Sequence, residues 1–220
     1  MPFFDDNKNV GLLLILLGLL TILAGIVLIA TVGGRSVAGA IIGALGLIIC
    51  GLFYLIAGMN IRESGEKIKG VIPVVGGIVG LKIVYDNKIG VMTLVLMVMG
   101  AAMVVSAVFT LISYAVWGFL GGAAAVPVIL IIVGIFLVYT STVISGDRKS
   151  SSSSLLWIIL LILLLISIIF AIMSFAVVVG FFNAAYVVFM VLSALISLVI
   201  YLYLLLMTLS PEVKTIMDVK

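Results

Sequence analysis

The sequence predicts an all-α fold: a polytopic transmembrane helical bundle of about six spans, arranged as three helical hairpins. Hydrophobic residues make up 66% of the chain and charged residues only 9%, whereas soluble domains carry about 25% charged residues, so no water-facing surface could be assembled from this composition. Six apolar runs each approach or exceed the ~20 residues needed to cross ~30 Å of hydrocarbon at ~1.5 Å per residue. The 11 basic and 8 acidic side chains all fall outside those runs.

The predicted spans cover 10–32, 37–59, 89–116, 126–145, 155–178 and 185–209, within a single transmembrane domain over 1–220. The first could be mistaken for a secretory signal, but it is long, follows Asp5 and Asp6 and lacks an A-x-A cleavage pattern, so it is expected to remain as a span. The links alternate in character. Those at 33–36, 117–125 and 179–184 are short and nearly uncharged, as befits hairpin turns, while the others hold the charges.

The cytoplasmic connector 60–88 contains VIPVVGGIVGLKIV at 71–84, which is too short to cross a bilayer as a helix. Pro73, Gly76, Gly77 and Gly80 disfavour an ordinary helix, so an interfacial or re-entrant segment is expected. The stretch GDRKSSSSS at 146–154 reads as a solvated, flexible linker. Residues 72–85 can be laid on 126–139, matching Pro73 with Pro127, Gly80 with Gly134 and Tyr85 with Tyr139; this permits, without proving, a duplication of two-helix units.

Orientation follows from the basic residues. With six spans and the N-terminus inside, every Lys and Arg except Arg35 lies on the inner side, which places both termini in the cytoplasm and the chain in the cell membrane. A seventh span at 71–84 would instead set Lys8, Arg62, Lys67 and Lys69 against all the remaining basic residues, so it is rejected. Net charge is +3, but the basic residues flank span ends, where topology accounts for them, and no nucleic-acid partner is expected.

Helix packing is expected to rest on small residues, because helices in lipid gain little from apolar burial when they associate. Gly11, Gly18 and Gly25 recur every seven residues and form one stripe on the first span. Gly39, Gly43 and Gly46 mark the second, so these two spans are expected to pack on each other through those glycines. Hydroxyls take over later. Ser106, Thr110 and Ser113 on the third span, Ser167 and Ser174 on the fifth, and Ser193, Ser197 and Tyr201 on the sixth fall at helical spacing. They form either a polar seam along a solute path or, more simply, interhelical and own-backbone hydrogen bonds.

Trp117, Trp157, Tyr114 and Tyr139 lie near span ends, where amphipathic rings suit the headgroup layer. Met92, Met97, Met99 and Met103 read as packing or bilayer-facing residues. Catalytic chemistry is hard to assemble. There is no His, a single cysteine at Cys50, no carboxylate within a span and no phosphate loop, so neither an enzyme, a metal site nor a cofactor is expected. Glu63, Glu66 and Asp86 sit among basic residues in the connector and read as a solvated segment near anionic headgroups.

The hairpin beginning GLLLILLGLLTILAGIVLI and continuing with GLIICGLFYLIAG, within 11–58, resembles the HdeD-like family of small six-helix membrane proteins. The turn at Gly33-Gly34 lacks the proline often found there in that family, and the connector 60–88 is longer than its pattern. The resemblance implies a stress-linked membrane protein without an enzymatic mechanism, and it transfers no functional residue. The functional expectation is a noncatalytic structural, lipid-interacting or accessory subunit of a membrane complex. Its partners would be the lipid bilayer and either further copies of the chain, as a homo-oligomer, or a larger assembly. The alternative is a small-solute channel or facilitated transporter working through the hydroxyl seam.

Overall fold

The computed structural model describes residues 4, 6–31, 37–62, 88–118, 124–146, 150–181 and 184–219, with side chains left out at 174–186. The segment 71–84, both sequences of the hairpin turns at 33–36 and 119–123, and the connector acids lie outside the described residues. The helices are α1 (Asn7–Thr31), α2 (Val37–Arg62), α3 (Lys88–Trp117), α4 (Ala125–Ile144), α5 (Ser153–Phe181), α6 (Ala184–Thr208) and the short α7 (Pro211–Ile216). The first six are each long and apolar enough to cross a membrane, in the order and number that hydropathy predicts.

The helix ends differ instructively from the apolar boundaries. α2 runs on to Arg62 and buries Asn60 and Ile61, because its last turn packs inside the bundle. α5 begins at Ser153, inside the stretch read as a flexible linker, with the Leu156 amide donating to the Ser152 carbonyl at 3.1 Å. Serines suit a helix entry, since their hydroxyls can substitute for missing backbone partners. Here the Ser150 hydroxyl accepts from the Ser152 amide at 3.2 Å.

Packing order differs from chain order. α2 lies between α1 and α3, α4 packs on α3, and α6 packs on both α1 and α5. The circuit is therefore α4, α3, α2, α1, α6, α5. It closes only sparsely where α5 returns to α4, and α3 meets α6 just as thinly.

The α1–α2 hairpin is held by a reciprocal glycine register. A Cβ built on Gly18 would stand 2.6 Å from the Gly51 carbonyl oxygen, and one on Gly51 would stand 2.6 Å from the Gly18 oxygen. Seven residues to one side, Gly11 and Gly58 make the same mutual approach at 2.8 and 2.5 Å. Seven to the other, a Cβ on Gly25 would stand 2.9 Å from the Ala44 oxygen. The stripe on α1 is the predicted one, but its partners on α2 are Ala44, Gly51 and Gly58. Gly39, Gly43 and Gly46 face α3 instead: Gly39 lies under the Trp117 ring, a Cβ built on Gly46 would stand 2.7 Å from the Phe109 Cβ, and one on Gly43 would be 4.0 Å from the Ser113 hydroxyl. The correction has a simple cause. Two antiparallel helices stay in register only if both repeat at seven residues, and 39, 43 and 46 do not share the phase of 44, 51 and 58.

The α3–α4 hairpin repeats the device. A Cβ built on Gly100 would stand 2.5 Å from the Gly134 carbonyl oxygen, and one on Gly134 would stand 2.6 Å from the Gly100 oxygen. The same register carries Thr93 level with Ser141, and Ala107 level with Pro127, all of them buried.

The bundle is dense at one end. There α1, α3 and α5 begin and α2, α4 and α6 finish, and every residue of α3 from Gly90 to Gly100 is buried. Leu14, Met97, Leu160 and Leu204 fill the layer between the helices. The chain also folds back over this end. Ser210 caps α7, accepting from the Val213 amide, and Val213 and Met217 are fully buried beneath it. Phe4 stacks 5.4 Å from the ring of Tyr203.

Candidate functional site: a hydroxyl-bearing chamber between the spans

Above the dense layer the helices part around a cavity of about 590 Å³ to which all six spans contribute. Leu17, Thr21 and Ala24 line it from α1, and Leu47, Cys50 and Tyr54 from α2. Ala102, Met103 and Ser106 of α3 and Leu130 of α4 form the next wall. Ser167, Phe170 and Ala171 of α5 face Met190, Ser193, Ala194, Ser197 and Tyr201 of α6 across the remainder. The wall is apolar apart from hydroxyls, one thiol and the backbone, with no ionised side chain among the lining residues.

Small residues make this space. Ala24, Ala102, Ala171 and Ala194 stand where larger side chains would close it, and the glycine registers of the two hairpins set how near their helices come. Tyr54 and Tyr201 lie at its inner end, one turn from the packed layer that holds Ala57 and Leu204.

The hydroxyls separate by what they bond. Thr21 donates to the Leu17 carbonyl at 2.7 Å and Ser167 to Leu163 at 2.8 Å, so their demand is met within their own helices although both reach the cavity. Ser106, Ser193, Ser197 and Tyr201 line the cavity as well. Ser193 is distinct: its Oγ is shielded from solvent and has no hydrogen-bond partner among the described residues. The Cys50 thiol donates to the Ala102 carbonyl at 3.2 Å, tying α2 to α3 at the cavity wall.

Of the eight positions in the sequence-derived seam, Ser106, Ser167, Ser193, Ser197 and Tyr201 therefore share this one chamber. Thr110 and Ser113 do not. Thr110 donates to the Ser106 carbonyl at 2.8 Å, and Ser113 donates to the Gly39 carbonyl at 2.9 Å, which joins α3 to the first turn of α2. Ser113 is a packing group that joins α3 to α2, and Thr110 is satisfied within its own helix. The Ser174 side chain lies outside the described residues.

The aromatic anchors are likewise divided. Trp157 Nε1 donates to the Thr208 carbonyl at 2.7 Å, and the Lys214 ammonium stands 5.9 Å from the same ring, so this residue clasps α5, α6 and α7 together. Trp117 packs over Gly39 with Tyr114 6.5 Å away. Met92, Met97 and Met99 are buried in the packed end.

Thr21, Cys50 and Tyr54 were not expected at a site. A lone threonine and a lone mid-span tyrosine in otherwise apolar runs are weak signals, and only the juxtaposition of α1, α2 and α6 gives them meaning. No family model, curated protein or solved structure matches the chain.

Proposed function

We propose that this chain is a noncatalytic, lipid-interacting protein of the cell membrane that holds an uncharged amphiphile between its six spans. The observation that carries this reading is the chamber itself: about 590 Å³, walled by every span, apolar with a few hydroxyls and no ionised group. Such a volume falls within the roughly 300–1,000 Å³ of small-molecule sites. An apolar wall favours a hydrocarbon chain, and hydroxyls can satisfy one alcohol or carbonyl. A charged ligand is disfavoured, since it would lie in a low-dielectric space without a counter-ion.

Catalysis gains no support from the same residues. The Cys50 thiol is occupied by a carbonyl, and neither histidine nor carboxylate lines the cavity to activate a hydroxyl. A channel or facilitated transporter has less support than a binding protein, because the fully buried Gly90–Gly100 stretch of α3 closes one end of the bundle. The basic residues favour an orientation with that end, and both termini, towards the cytoplasm.

A photoactivatable monoacylglycerol, carrying a diazirine in its chain, tests the reading in reconstituted membranes. Adducts concentrated at Met103, Met190 and Tyr201 would support it. Adducts distributed only over positions such as Ile132 and Ile162, both of which are exposed, would overturn it.

A further inference from the structure

Among the described residues, the chamber's wall is sparsest along one seam. α4 and α5 follow each other in the chain, yet they touch only sparsely. Of the described residues that line the cavity, the two that are exposed are Leu130, at 36%, and Phe170, at 65%. One belongs to α4 and the other to α5. Four of the other helix pairs carry specific braces among the described residues, and α1 packs closely on α6. Reciprocal glycine contacts hold α1 to α2 and α3 to α4, the Cys50 and Ser113 hydrogen bonds join α2 to α3, and Trp157 binds α5 to α6.

Both flanking side chains are apolar and unbranched at Cβ, so each can swing aside by rotamer change without disturbing its helix. Among the described residues, lipid chains outside the bundle therefore face two side chains at this seam, Leu130 and Phe170. Next to the seam, on the neighbour of α5, α6 presents Ser193, Ser197 and Tyr201 at successive turns, and the Ser193 Oγ has no hydrogen-bond partner among the described residues. A buried hydroxyl left unbonded costs free energy that a ligand's oxygen can recover.

We propose that the chamber is loaded sideways from the bilayer, through the α4–α5 seam between Leu130 and Phe170, by a single-chain amphiphile whose hydroxyl or carbonyl meets the Ser193–Ser197–Tyr201 face. This rests on the reading of the chamber as a binding site for an uncharged amphiphile. It adds the route, the gate and the polarity with which the ligand lies.

The test uses the full chain in lipid nanodiscs with a nitroxide-labelled monoacylglycerol as the probe, and Cys50→Ala as the reference in every arm. Leu130→Cys with Phe170→Cys is bridged by bismaleimides of graded length, either before or after loading. Bridging before loading should slow probe uptake about tenfold or more, and bridging after loading should slow release alike while retaining occupancy, since the barrier and not the affinity changes. Leu130→Ala with Phe170→Ala should speed both directions several-fold, an effect of opposite sign that loss of folding cannot imitate. Equal exchange before and after bridging, with probe still bound, would overturn the lateral route while leaving the binding reading intact. Absence of bound probe in the unbridged reference would overturn both. Uptake that keeps its rate while release quickens and occupancy falls in Ser193→Ala with Ser197→Ala would support the polar orientation, and unchanged occupancy in that variant would overturn it.

Discussion

Gly18 and Gly51 each hold the place where the other's carbonyl oxygen needs room: a Cβ on either would stand 2.6 Å from the partner's backbone oxygen. Backbone lies on both sides of the contact, because the Leu55 amide is 2.7 Å from the same Gly18 position. No rotamer change relieves such an overlap, so α1 and α2 would have to separate. Gly18→Ala and Gly51→Ala are therefore expected to destabilise the folded protein, within the about 1–3 kcal/mol typical of overpacking. Gly43→Ala is the control. Its new methyl would have only the Ser113 hydroxyl within reach, at 4.0 Å, and alanine is the better helix former. Unfolding of detergent-solubilised protein by denaturing surfactant should show Gly43→Ala equal to or above the native midpoint, with the other two below it.

The same geometry predicts how two neighbouring hydroxyls on α3 differ. Ser113 bonds across to Gly39, while Thr110 bonds within its own helix. Ser113→Ala should cost about 0.6 kcal/mol, the average for an interhelical bond in a membrane bundle, and Thr110→Ala much less. Equal losses at both positions, measured by the same unfolding midpoint, would contradict the assignment.

The division between these hydroxyls marks what could and could not be read from the sequence. Six spans were legible because a bilayer demands length and apolarity from each run independently of its neighbours. The stripe at Gly11, Gly18 and Gly25 was legible for a similar reason, as a property of one helix. Its partners were less so. Gly39, Gly43 and Gly46 have the more familiar spacing, yet it is Ala44, Gly51 and Gly58 that share the seven-residue phase, and the reciprocal pair Gly100–Gly134 needed two spans to be compared at once. The chamber was legible only as a set of candidate hydroxyls. Ser106, Ser193 and Ser197 come together because α6 packs on α1 as well as on α5, and hydropathy carries no information about that neighbour order.

Trp157 should act as a clasp at the packed end. Its indole N–H reaches the Thr208 carbonyl, and the Lys214 ammonium lies over its ring. Trp157→Phe keeps most of the apolar surface and removes the donor, so it should cost about 0.5–1.5 kcal/mol. The loss should be local: proteolysis near the end of α6 and in α7 should accelerate in Trp157→Phe more than cleavage elsewhere. Unchanged proteolysis in that region would show that the bond does not hold the segment down.

Cys50 provides a probe of the chamber wall. It is 4% exposed and its thiol faces a carbonyl oxygen, so a bulky maleimide should label the folded protein slowly. Gly18→Leu should raise the rate by prising α1 from α2, with mass spectrometry of the intact chain as the readout. Fast labelling of the native protein would contradict the packing of α2 on α3.

The binding reading is tested most directly by native mass spectrometry of the chain released from mild detergent, with Ala194→Phe for comparison. Ala194 lines the chamber, and a phenyl ring there would occupy space now open to a ligand. The account predicts one uncharged amphiphile retained per native chain, and its loss in Ala194→Phe without change in the unfolding midpoint. A native chain that is always bare, or an adduct carried equally by both proteins, would contradict it.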